Sequence, residues 1–137
     1  MSTLGDFNQR IIEEFRANGG APPSWTGNSP LLLVHHRGAK SGVKRVNPVA
    51  YLEDEGQYVI FASKGGAPTN PAWYHNLKAH PQTTIEVGKQ TVAVTAHEAR
   101  GEERDRLFTT QAERSPQFAE YQQGTDRVIP VLVLTPR

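Results

Sequence analysis

A chain of 137 residues with 36% hydrophobic and 21% charged residues carries enough apolar content for one domain with a real core, and is short for two. The formal net charge of +1 argues against a nucleic-acid or membrane-surface binder working through a broad basic field. The absence of cysteine removes disulfides, thiolate nucleophiles and cysteine-ligated metal centres. No apolar run approaches the roughly 20 residues of a membrane span and no signal-peptide pattern is visible, so the expectation is a cytoplasmic protein.

Residues 4–17 read as an amphipathic helix, with Leu4, Phe7, Ile11, Ile12 and Phe15 at helical spacing and charges of both signs on the other faces. Gly19-Gly20 ends it, and a Pro/Gly/Ser-rich connector follows to Pro30. We therefore expect residues 1–30 to be a helix and linker set before a β-rich domain at 31–137. The helix reads first as a core-packing element. A lid and a peripheral membrane contact are its other possible uses, the latter weakened by a polar side that is not lysine-rich.

Leu31 to Arg37 and Val43 to Leu52 read as two strands joined by the loop Gly38-Ala39-Lys40-Ser41-Gly42. Lys40, Lys44 and Arg45 lie on or beside that loop. It is not a Walker loop, since GxxxxGK[ST] is absent and no helix pattern follows. Two-residue alternation places Arg45, Asn47, Val49 and Tyr51 on one face of the second strand, and Pro48 marks it as an edge or bulged strand.

A third strand at 58–62 runs into Ser63-Lys64-Gly65-Gly66-Ala67-Pro68-Thr69-Asn70-Pro71, then a helix carrying Trp73, Tyr74, Asn76 and Leu77. Asn70 is a candidate N-cap, and Pro71 suits a first helical turn. Strand, glycine-rich basic loop and helix N-terminus in succession favour an anion, although the same order also describes an ordinary strand-to-helix connection. A hairpin turns at Gly88-Lys89, a charged helix spans 101–113, a short helical piece after Ser115-Pro116 carries Phe118 and Tyr121, and Val128 to Leu134 is a last buried strand. About six strands, mostly in hairpins, and three or four helices point to an antiparallel barrel or sheet with outer helices, an α+β fold that is mainly β.

His35, His36, His75, His80 and His97 show no metal-ligand spacing, and no Gly-x-Ser-x-Gly elbow exists. His35 and His36 must face opposite ways, one into a core or interface and one towards solvent. What remains is two glycine-flanked basic loops with Trp73-Tyr74 and Phe118/Tyr121, a set able to hold a phosphorylated, flat aromatic cofactor.

Three co-linear blocks carry a resemblance: Gly38-Ala39-Lys40-Ser41-Gly42 with Arg45 and Pro48; Ser63-Lys64-Gly65-Gly66 with Asn70-Pro71, Trp73-Tyr74, Asn76-Leu77 and Pro81; and Tyr121-Gln122 with Arg127-Val128-Ile129-Pro130-Val131. From about Leu31 to Pro136 the chain resembles the deazaflavin (F420)-dependent nitroreductase and quinone reductase family of actinobacterial and related proteins. The resemblance implies an FMN-binding-like split β-barrel and hydride transfer from reduced coenzyme F420 to a small acceptor: a quinone, an enone or a nitro compound. It implies that Lys40, Ser41 and Arg45 contact the phosphate and acidic tail. Asn47, Pro48, Val49 and Ala50 would run past the ring, Ser63, Lys64, Gly65 and Gly66 would continue the cradle, and Trp73 and Asn76 would support it. Ser63 and Tyr121 are the candidate catalytic side chains, Tyr121 as proton donor or as pocket wall. Ser115-Pro116-Gln117-Phe118 stands where relatives acting on bulky acceptors carry several tyrosines, which leaves nitro reduction open.

The alternatives are an FMN-dependent split-barrel oxidoreductase and a non-catalytic F420 or flavin carrier. A nucleic-acid module is disfavoured by the charge balance and by the lack of aromatics between the basic residues. A monomer or homodimer is expected, with no metal.

Overall fold

The computed structural model describes residues 4–25, 30–63 and 69–137, with side chains from Phe7 onward. Lys64, Gly65 and Gly66 lie outside the described residues. The elements are α1 (Leu4–Ala17), β1 (Leu31–Arg37), β2 (Lys44–Asp54), β3 (Gln57–Phe61), α2 (Ala72–Ala79), β4 (Gln82–Val87), β5 (Gln90–Ala99), α3 (Gly101–Arg114), α4 (Gln117–Gln123) and β6 (Val131–Pro136). The strands form a closed antiparallel barrel in the order β1-β2-β3-β6-β5-β4, sealed by β1 against β4. Among the described residues, this is the expected mainly β, six-stranded barrel with peripheral helices.

The apolar runs follow from burial on both faces of the wall. Leu32 and Val34 of β1, Ile60 of β3 and Leu132 and Leu134 of β6 fill the interior together with Trp73, Tyr74 and Leu77 of α2. The alternate residues Val59, Phe61, Val131 and Val133 face outward and are covered by Leu107 and Phe108 of α3 and Phe118 of α4. Leu31 and Leu33 face outward beneath Ile11, Ile12 and Phe15 of α1. A strand packed on both sides reads as continuous apolar sequence, and each such side chain contributes about 1.5–3 kcal/mol. Facing the barrel is thus what α1 does with Ile11, Ile12 and Phe15, whereas Phe7 remains exposed. Among the described residues no helix is long and apolar enough to cross a membrane.

Two local features position the site. First, β2 pairs with β1 from Lys44 to Ala50 but with β3 only from Tyr51 to Asp54. One flank of its first half therefore has no strand partner, and Pro48 sits there without cost to the ladder, as its edge character predicts. Second, the β1–β2 loop is tight: Gly42 N–H donates to Gly38 O and Gly38 N–H to Val43 O, both at 2.9 Å. Gly42 has φ +70, a left-handed conformation that glycine adopts without strain, and this turn position calls for it.

The helix expected from Pro71 begins at Ala72. Pro71 is its extended N-cap residue, with no side-chain cap, and its carbonyl closes the first turn by accepting from Tyr74 N–H. Asn70 does not cap, because its side-chain oxygen is taken by the guanidinium of Arg127, a charge-assisted partner that a neutral backbone amide does not match.

Candidate active site

An open pocket of about 450 Å³ lies against the unpaired flank of β2. Asn47, Pro48, Val49 and Ala50 form one wall, and Phe61 and Ser63 the floor beyond β3. Pro71, Ala72 and Trp73 at the start of α2 form a second side, Gln117, Phe118 and Tyr121 of α4 a third, and Trp25 a rim. The lining is mostly apolar, with Asn47, Ser63, Gln117 and the Tyr121 hydroxyl as its polar points. Phe118 stacks edge-on against both Phe61 and Tyr121, with centroids 5.6 and 5.4 Å apart, so Tyr121 is held as a wall by an aromatic row rooted in the barrel.

Behind the Asn47 wall is a buried polar chain. Ala39 N–H donates to Asn76 Oδ1 at 2.9 Å, Asn76 Nδ2 lies 3.0 Å from His36 Nδ1, and His36 Nε2 lies 2.6 Å from Asn47 Oδ1. These contacts tie the β1–β2 loop to α2 and α2 to β2. Burial holds the His36 imidazole below its ordinary pKa; the bond to Asn47 opposes that, while Arg45 and His35 reinforce it. Of the histidine pair, His36 is the buried one and His35 is half-buried, bonded through Nε2 to Glu86 Oε2 at 2.8 Å.

On the far side of His36 a second, larger groove of about 680 Å³ is lined by Arg16, His35, His36, Arg37, Lys44, Arg45, His80 and the start of β4. Register explains why one strand serves both hollows: His36 lies opposite Arg45, and Val34 opposite Asn47. Arg45 and Asn47 thus share the face that His36 occupies, one entering the basic groove and the other the apolar pocket. Lys40 and Ser41 line neither hollow; they are exposed at the β1–β2 turn, where the Ser41 hydroxyl accepts from Val43 N–H at 3.2 Å.

The end of β3 is clamped by Arg127. Its Nη1 donates to Ala62 O at 3.0 Å and to Asn70 Oδ1 at 2.7 Å, and its Nη2 to Ser63 O at 2.8 Å. Gln122 of α4 joins the same assembly: its Nε2 donates to Arg127 O, and its Oε1 accepts from Ile129 N–H and from Arg104. The residues flanking the basic loop and the helix carrying Tyr121 are thereby braced by one network.

Of the residues singled out from sequence, the structure gathers Asn47, Pro48, Val49, Ala50, Ser63, Trp73 and Tyr121 into one pocket. Arg45 lies in the adjoining groove, Lys40 and Ser41 on the turn, and Asn76 is buried behind the wall with its amide committed to Ala39 and His36. Sequence reasoning missed Trp25, Phe61 and Gln117 as lining, and His36, Arg127 and Gln122 as supports. His36 carried a signal, since one of an adjacent pair on a buried strand must face inward. Its bonds to Asn47 and Asn76, 11 and 40 positions away, left no local trace.

The family model for the F420H(2)-dependent quinone reductases matches residues 8–136, reaching back through most of α1, beyond the stretch that carries the resemblance in sequence. An F420H(2)-dependent quinone reductase of Mycobacterium tuberculosis is 43% identical over 121 residues, spanning 86% of this chain and 76% of that protein. A solved F420-H2 dependent reductase, FDR-A, superposes with a TM-score of 0.71 at 43% identity over 77% of this chain and 93% of its own. A second structure, described as a domain-swapped dimer, gives a TM-score of 0.73 at 36% identity over 92% and 94% of the two chains. With its sequence and its barrel both aligned to these proteins, the chain belongs to the F420H(2)-dependent quinone reductase family.

Proposed function

We propose that this protein catalyses hydride transfer from reduced coenzyme F420 to a quinone. The observation that carries the reading is the junction of two unlike hollows on one strand, an apolar pocket beside Asn47–Ala50 and a basic groove beside Arg45. A ligand with a flat ring and a polyanionic tail requires such a pair. Apolar walls with a few polar points suit a deazaflavin ring, and Arg37, Lys44 and Arg45 supply the charge-assisted donors a phosphodiester with carboxylates needs. Bound reduced F420 supplies the hydride.

The chain's own residues do the rest. Asn47–Ala50 and Trp73 orient the ring edge, Arg45 anchors the tail with Lys40 and Ser41 at the neighbouring turn, and the family resemblance implies the same cradle for Lys64, Gly65 and Gly66. Phe118 and Tyr121 shape the acceptor side and exclude water. A quinone that has gained a hydride carries a new oxyanion and needs a hydrogen-bond donor. Ser63 and Tyr121 are the hydroxyls lining the pocket, and Ser63 is the better placed donor because its backbone is fixed by Arg127. The domain-swapped relative supports a homodimer, which light scattering on the purified chain would check.

The experiment is a fluorescence titration with F420 and with FMN, followed by the oxidation of reduced F420 with a soluble benzoquinone, a nitroaromatic and an enone. Tighter binding of F420 and turnover with the quinone are expected. Equal or stronger FMN binding would transfer the reading to a flavin enzyme, and F420 binding without turnover of any acceptor would make the protein a carrier.

A further inference from the structure

The polar chain behind the pocket wall has its hydrogen-bond direction set at one end by the backbone. Ala39 N–H can only donate, so its partner at 2.9 Å is fixed as the amide oxygen of Asn76. The Asn76 NH2 group is then the atom 3.0 Å from His36 Nδ1, and it too can only donate. His36 Nδ1 must accept, which leaves the proton of the neutral ring on Nε2. That N–H donates to Asn47 Oδ1 at 2.6 Å. With its oxygen engaged, Asn47 has two amide N–H donors left, and it stands in the wall of the apolar pocket.

We propose that His36 and Asn76 are positioning residues for ligand binding: Asn76 holds His36 in the Nε2–H tautomer, and His36 in turn holds Asn47 so that its amide NH2, and not its carbonyl, is offered to an acceptor atom of the bound deazaflavin. The inference deepens the cofactor reading and rests on it. A histidine kept only for packing needs neither a dictated tautomer nor a partner at a pocket wall, and His36 has both, at 5% exposure. Its surroundings maintain the neutral ring. Arg45 faces it across β1–β2, His35 adjoins it on β1, Asn76 meets it from α2, and Arg16, Arg37, Lys44 and His80 line the groove beside it. A second ring proton would set Nδ1–H against the Asn76 NH2, two donors face to face in a buried site.

The tautomer is read on the ligand-free chain from the ¹⁵N resonances of the His36 ring, and ligand binding from F420 fluorescence titrations of Asn76→Asp and Asn47→Leu. Asn76→Asp keeps the acceptor for Ala39 N–H but replaces the donor to His36 with a second acceptor, which draws a proton onto Nδ1. In the native chain we expect a bare Nδ1 and a protonated Nε2; in Asn76→Asp, a protonated Nδ1. Both variants should bind F420 about tenfold more weakly with their amide spectra otherwise native, the loss of one good hydrogen bond. A protonated Nδ1 in the native chain overturns the relay. Native affinity in Asn47→Leu overturns the role in binding, and that variant decides alone if Asn76→Asp does not fold. If the native chain binds no F420, the cofactor reading falls, while the ring resonances still decide the relay.

Discussion

Arg127 and Asn70, 57 positions apart in the chain, meet through a 2.7 Å hydrogen bond from Nη1 to Oδ1, and the same guanidinium holds the carbonyls of Ala62 and Ser63. One side chain from the segment before β6 thus fixes both the residue entering the basic loop and a residue just past it. Replacing it by Met should leave three oxygens without their donor. At about 1.5–3 kcal/mol for a hydrogen bond to a charged group, Arg127→Met should lower Tm by roughly 5–10 °C and weaken F420 binding at least tenfold. Arg127→Lys should recover only part of either, because a single ammonium cannot span the fork. Calorimetry and fluorescence titration check the two together; a native dissociation constant in a destabilised Met variant would confine Arg127 to a structural role.

Arg45 has a different task. It lies at the surface of the basic groove, so its loss should spare the fold and affect only a polyanionic ligand. Arg45→Ala should raise the F420 dissociation constant about ten- to a hundredfold, an effect that shrinks as added salt screens the pair. FMN, with a shorter anionic tail, should be affected less. An unchanged F420 constant would place the tail elsewhere.

The outline of the barrel was legible in the sequence for a physical reason. Strands buried on both faces, such as Leu31–Val34 and Val131–Leu134, read as unbroken apolar runs, and Gly38, Gly42 and Gly88 marked the turns. The pocket was legible where its wall is a contiguous strand, Asn47–Ala50, or a motif with its own local grammar, Pro71–Trp73. The supports were not. His36 and Arg127 act through partners brought near only by the fold, and Asn70 read as a cap because nothing local revealed a guanidinium competing for its oxygen.

Tyr121 is braced by Phe118, which leans on Phe61, an arrangement that favours a wall over a proton donor. Tyr121→Phe should therefore keep kcat with a benzoquinone within about twofold, whereas Tyr121→Ala should raise its KM several-fold with F420 affinity unchanged. A loss of kcat of a hundredfold or more in Tyr121→Phe would instead assign it the proton, in the range general acid catalysis provides. Ser63→Ala tests the other hydroxyl in the same assay and should be the variant that loses kcat.

Acid should reveal how α1 is attached. Glu86 accepts from Arg16 Nη2 at 2.7 Å and pairs with His35, and the bond from Arg16 above all holds its carboxyl below the ordinary value near 4.5. A carboxylate lowered in the fold gives stability that is complete above that value and is lost as pH falls through its folded pKa. Tm should thus fall on acidification below about pH 4.5, and Arg16→Ala should flatten that slope while lowering Tm at neutral pH. Parallel melting curves for the two chains between pH 3 and 7 would show no difference in slope if the contact contributes nothing.

The seven residues of α4 stand apart from the barrel's ladder of paired strands, fastened through Gln122 and Arg104 and by the seating of Phe118. Gln117, Phe118 and Tyr121 therefore form an exchangeable panel. On the proposed reading, substitutions there re-cut the mouth offered to an electron acceptor while the opposite panel, Asn47–Ala50, keeps its backbone register with β1. The acceptor side can thus be altered without disturbing the strand pairing on which the rest of the pocket stands.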